Sequence, residues 1–92
     1  MANVKTKSGF KCEINERVLD DWRFTRAVAK THSEDDAERL NAAVDLVSLI
    51  LRDNEEAYYN YVADKNDGIV SEDIVTNDLI SIIEQIKKLK NS

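Results

Sequence analysis

The sequence contains no proline, two glycines, one cysteine and one histidine. Each scarcity excludes something. A single cysteine, Cys12, cannot close an internal disulfide, which agrees with a reducing cytoplasm. Cys12 and His32 have no companions with which to build a zinc site, and their separation carries no known signature. With two isolated glycines there is no phosphate-cradling loop. No apolar run reaches the ~18–20 residues of a membrane span. The opening MANVKTKSGF carries lysines without an apolar stretch behind them, unlike a signal peptide.

What remains is rich in Leu, Ile, Val, Ala, Glu and Lys, and a 92-residue chain of that composition predicts one mainly helical domain spanning 1–92. Charge is unevenly spread. Residues 1–30 carry seven basic and four acidic side chains, residues 31–86 three basic and fourteen acidic, and residues 87–92 three lysines, leaving −5 in all. An acidic middle of this kind repels phosphate backbones, so nucleic acid is an improbable ligand. The carboxylates fall mostly in the first turns of helices and on polar faces, where capping and solubility account for them. No catalytic constellation emerges, and a non-enzymatic protein without cofactor or metal is expected.

Along the chain, Phe10, Cys12 and Ile14 alternate with Lys11 and Glu13, predicting a half-buried strand. Ser8-Gly9 supplies a turn, and Val4 and Thr6 can return on a partner strand, giving an N-terminal β-hairpin over residues 1–14. A helical part, about four helices over 15–92, follows. Asn15 is a suitable cap for a first helix ending near Lys30. On that helix Val18, Leu19, Trp22 and Ala29 share a face, whereas Phe24 and Val28 point elsewhere, so a second cover is expected. Ser33 can cap a second helix whose stripe is Ala37, Leu40, Val44, Val47 and Leu51, closing on LVSLIL. Asn54 can cap a short third helix bearing Tyr58, Tyr61 and Val62 on one side and Tyr59 on another. The last helix, from Glu72 to about Lys90, carries Val75, Leu79, Ile82, Ile86 and Leu89 as a seam, with Ile83 beside it and Ile74 and Ile80 off it.

The joint ADKNDGIVSED suggests calcium at first sight. With Gly68 at the sixth loop position, however, positions one and twelve are Ala63 and Ile74. Starting at Asp64 instead puts Val75 at position twelve. Both registers lack the bidentate acid that closes a calcium loop. Gly68 as a left-handed helix terminator and Ser71 as the next N-cap explain the same residues.

The succession as a whole is similar to a known family. A Trp22-x-Phe24 pair, the LVSLIL ending, a tyrosine-bearing short helix, the xDGxVS joint and an isoleucine-rich helix stopping at LKNS resemble the tail assembly chaperones of long-tailed (siphovirus-type) phages of Gram-positive bacteria, over residues 15–92. Arg52-Asp53 stands where many such proteins have a glycine. The resemblance implies a helical chaperone in the host cytoplasm, absent from the mature virion. It would bind the tape measure protein and itself as a homo-oligomer, with the tail tube protein as a further candidate partner. Residues left off the expected core faces, Phe24, Tyr59, Ile74, Ile80 and Ile83, are the candidate partner contacts. The competing reading is a small acidic DNA mimic that inhibits a host nuclease or regulator.

Overall fold

The computed structural model describes residues 1–90; Asn91 and Ser92, the end of the LKNS stretch, lie outside the described residues. The chain is mainly α, with a two-stranded N-terminal hairpin ahead of the helices. Strand β1 (Ala2–Lys5) pairs antiparallel with β2 (Lys11–Ile14), setting Ala2 against Ile14 and Val4 against Cys12. Alternation sends Ala2, Val4 and Thr6 inward beside Ile14, with Phe10 and Cys12 half-buried. The turn is closed by Thr6, whose backbone exchanges hydrogen bonds with Phe10 and Gly9 and whose hydroxyl accepts from Phe10 N at 2.9 Å. Gly9 has φ +109°, and a Cβ there would stand 2.6 Å from the Tyr61 hydroxyl. Only glycine fits both demands.

The expected first helix from Asn15 to Lys30 is broken in two. Asn15 caps only a 3₁₀ turn, Glu16–Asp20, by accepting from Arg17 N. Asp21 then restarts the chain as N-cap of α1 (Trp22–Lys30), accepting from Arg23 N at 2.8 Å. The break resolves the conflict between two apolar faces, because Val18 and Leu19 now belong to the turn and Phe24 and Val28 to α1, where Trp22 and Ala29 lie exposed. Val18 enters the core from the turn, Phe24 and Ala27 enter it from α1, and Trp22 swings outward. No second cover is required for Phe24.

Helix α2 spans Asp36–Leu51. Its cap is Asp35, which accepts from Ala37 N at 2.9 Å, while Ser33 sits two residues back and accepts from Asp35 N at 3.1 Å. The C-terminal half packs on all sides, with Leu46, Val47, Ile50 and Leu51 buried as LVSLIL suggests. The expected stripe holds only there. Ala37, Leu40 and Val44 are exposed, while Ala42 between them is fully buried, so along this half the helix packs through its other face.

Arg52, at φ 48°, turns the chain through a 3₁₀ step into α3 (Glu55–Lys65). Asn54 does not cap α3; its side-chain amide donates to the Glu13 carbonyl of β2 at 2.9 Å. Tyr58 and Val62 face inward, and Phe10 packs edge-on against Tyr58 and tilted against Tyr61, both at 5.5 Å between ring centres. The ADKNDGIVSED joint terminates α3 with a Gly68 N to Ala63 O bond of 2.7 Å, Asp67 and Gly68 both in the left-handed region. Ser71 then accepts from Ile74 N at the start of α4 (Glu72–Lys90). Leu79, Ile82 and Ile86 form the buried centre of the α4 seam, Val75 is half-buried, and Leu89 at the far end is exposed. Among the described residues, no helix is long and apolar enough to cross a membrane.

Candidate interaction surface

The buried charged side chain among the described residues is one that sequence reasoning missed. Asp78 lies within the α4 seam, 1% exposed, and accepts three hydrogen bonds. Ser8 N donates to Oδ1 at 2.8 Å; Ser8 Oγ and the Tyr58 hydroxyl each donate to Oδ2 at 2.7 Å. A buried carboxylate is tolerable only when it is bonded in this way. Burial, followed by the bond to Asp78, pushes the Tyr58 phenol far above its ordinary range. Ser8 belongs to the hairpin turn, Tyr58 to α3 and Asp78 itself to α4, so this carboxylate ties the hairpin to the helices. The signal was available in part: Asp78 stands four residues before Ile82 and three after Val75, on the seam side of the helix.

Two side-chain amides close the strand edges. Because Thr6 N donates to the Phe10 carbonyl across the hairpin, the two-residue alternation turns the free backbone groups of Lys5 and Glu13 outward. Gln85 of α4 meets both groups of Lys5, accepting from its N at 3.2 Å and donating to its O at 2.7 Å. Asn54 meets the Glu13 carbonyl.

Chemistry-bearing side chains do not converge elsewhere. Among the described residues no group of three or more His, Cys, Asp or Glu could hold a metal ion. Cys12 lines a shallow hollow of about 590 Å³ on the hairpin together with Asn3, Lys5, Lys11, Glu13 and Gln85, and burial raises its thiol pKa. His32 is exposed, in the link between α1 and α2.

The surface is distinguished instead by its apolar residues. Trp22 is 76% exposed, Leu40 51%, Val44 54% and Ile80 50%. Leu40 lines a groove of about 480 Å³ between the N-terminal halves of α2 and α4, with Ala43, Thr31, Asp36, Arg39, Glu72 and Thr76. Val44 lies one turn beyond Leu40, and Ile80 one turn beyond Thr76, so the same walls continue as apolar surface. Within the groove Arg39 is engaged by Asp36 and by the Ser33 carbonyl.

Of the five residues expected to contact partners, Ile80 is exposed in the position foreseen. Ile74 and Ile83 are half-buried and packed against the core. Tyr59 is half-buried too, its hydroxyl donating to Glu55 Oε2 at 2.7 Å, and burial and that bond push its phenol up to about 12. Phe24 is a correction: at 7% exposure it belongs to the core, because the break at Asp21 turns it inward. Trp22, Leu40 and Val44, which the helical stripes placed inside, are the exposed ones. A comparison with family models, with curated proteins and with solved structures finds no match.

Proposed function

We propose that the chain is a non-enzymatic tail assembly chaperone that holds an apolar helical segment of the tape measure protein and keeps it soluble in the host cytoplasm. The observation that carries this reading is the pair of apolar walls, Leu40 and Val44 on α2 and Ile80 on α4, each half exposed or more beside the groove. An amphipathic helix laid there would cover these side chains by the helix-in-groove mode. Fully burying one such side chain is worth about 1.5–3 kcal/mol, so completing the burial of three half-exposed ones gives a few kcal/mol before the helix contributes its own area. The acidic exterior would keep the complex in solution.

The acidic-mimic alternative rests on acidic composition alone, and some of the carboxylates are engaged within the fold: Asp78 is buried, Asp36 is paired with Arg39, and Glu55 accepts from Tyr59 and Ser48. Co-expression with the tape measure protein of the same phage tests the proposal. The expected result is a soluble complex that co-purifies, and that is lost on Leu40→Asp or Ile80→Asp. An insoluble tape measure protein with no complex would overturn it.

A further inference from the structure

The hairpin turns one face to the core and the other to solvent. Alternation places Asn3 and Lys5 of β1, and Lys11 and Glu13 of β2, on the solvent face. The register sets Lys5 opposite Lys11 and Asn3 opposite Glu13. Thr6 N bonds to the Phe10 carbonyl and the ladder alternates, so both of these are non-hydrogen-bonded pairs, with Cα atoms only about 4.5 Å apart. Like charges directly opposite one another destabilise a hairpin. Glu13 across from a lysine would have supported it, and this register does not supply that pair.

No internal carboxylate compensates. Among the described residues the ion pairs join Met1 to Glu16, Arg23 to Asp21, Arg39 to Asp36 and Lys90 to Asp20. None includes Lys5, Lys7 or Lys11, and all three are exposed. The hollow of about 590 Å³ lies over Lys5, Lys11 and Gln85, and Glu13 is the one carboxylate in its lining. Lys88, three residues after Gln85, extends the same side of α4, while Glu84 is turned about 100° away. In a chain of net charge −5 this is a basic face that costs the hairpin stability and is neutralised by nothing inside the fold.

We propose that this face docks an acidic, extended segment of another protein, with its carboxylates seated over Lys5 and Lys11. Charge complementarity selects the occupant, and size narrows it further. Two four-residue strands present a face about 14 Å long, which suits four or five residues of extended chain. Alternate side chains of such a segment point the same way, so Asp or Glu at every second position would meet the lysines. A nucleic acid would run past these few lysines onto a chain whose net charge is negative. The hollow shares no lining residue with the groove between α2 and α4, so the inference does not rest on the chaperone reading.

A capped five-residue peptide alternating Glu and Thr, titrated into the isotope-labelled chain, tests the proposal by NMR. The amides of Asn3, Lys5, Lys11 and Cys12 should shift, and the effect should fade as salt rises. The same peptide with Gln in place of Glu should leave them unmoved. Lys5→Glu replaces an attraction by a repulsion and should weaken binding about tenfold at low salt, whereas Glu13→Gln should tighten it about twofold. Lys5→Glu also meets Lys11 as an opposite charge, so its melting temperature should hold or rise by a few degrees. Weaker binding in a protein no less stable separates docking from a structural role. The proposal is overturned by unmoved hairpin amides at millimolar peptide, by equal shifts with the Gln peptide, or by a Lys5→Glu protein that binds as well or melts lower. It is overturned equally if a short single-stranded DNA binds the face more tightly than the peptide, or if the hairpin shifts arise from raising the concentration of the chain alone.

Discussion

Replacing Tyr58 by Phe removes one oxygen from the centre of the fold and leaves the ring's packing on Phe10 in place. What is lost is a 2.7 Å bond from a buried hydroxyl to the Asp78 carboxylate, which retains the two donors of Ser8. A hydrogen bond to a charged group contributes about 1.5–3 kcal/mol. Asp78→Ala removes the shared acceptor and strands the Tyr58 hydroxyl and the Ser8 N–H, at roughly 1–3 kcal/mol each, so a loss of about 3–5 kcal/mol is expected. A 92-residue chain holds only about 5–14 kcal/mol in total, at 0.05–0.15 per residue, so Asp78→Ala should remove a fifth of the stability or more. Urea unfolding followed by circular dichroism reads both. With a slope of about 2 kcal/mol per molar, Tyr58→Phe should lower the midpoint by about 1 M. The double variant should lose barely more than Asp78→Ala alone, because the tyrosine's partner is already gone. A Tyr58→Phe protein within about 0.5 kcal/mol of the parent, or two losses that simply add, would refute the idea that this carboxylate joins hairpin to helices.

Three further outcomes follow from the same structure. Gly9→Ala should destabilise more than Gly68→Ala, since both backbones are left-handed but only at position 9 does the new Cβ meet another residue, Tyr61; thermal melts rank the two. Stability should decline at both ends of the pH scale, as a pH series of urea midpoints can show. Asp21 is depressed to about 2, first by the Arg23 side chain and then by its N–H, so its contribution is full above the ordinary carboxylate pKa and disappears as pH falls from about 4 toward 2. Tyr58 is raised, so its contribution is full below the phenol's ordinary value of about 10 and disappears as pH climbs past it. Finally, Gln85→Ala should speed hydrogen exchange at the Lys5 amide while leaving the amides at the centre of α2 protected, because only the strand edge loses its partner.

The elements themselves were legible because each carries a local signal. Alternation marks the hairpin, Gly68 and Ser71 punctuate the joint before α4, and the spacing of Leu79, Ile82 and Ile86 marks a buried face. Exposure was less legible, since periodicity says which residues share a face but not how far a neighbouring element extends. Leu40 and Val44 belong to the same stripe as Val47 and Leu51, yet at their level the helix is covered on the opposite face, where Ala42 is buried. The break at Asp21 was obscured by the adequate cap at Asn15, although a second capping residue just ahead of Trp22 was present. The bond between Ser8 and Asp78 joins residues seventy positions apart, and no local pattern encodes such a pairing.

The two amide bonds from Gln85 to Lys5, and the carboxylate of Asp78 against Ser8, also set an order of events on the ribosome. The hairpin leaves the exit tunnel ahead of the helices, yet both of its α4 anchors lie seventy or more residues downstream. At 5–20 residues per second, about 4–14 s pass before Asp78 is even synthesised after Ser8. An isolated two-stranded ribbon is marginal in water, so during that interval the first fourteen residues have no settled structure. The two strands are therefore made before the helix that fixes them, and a stalled chain lacking α4 would present them, unpaired, to whatever strand edge it met.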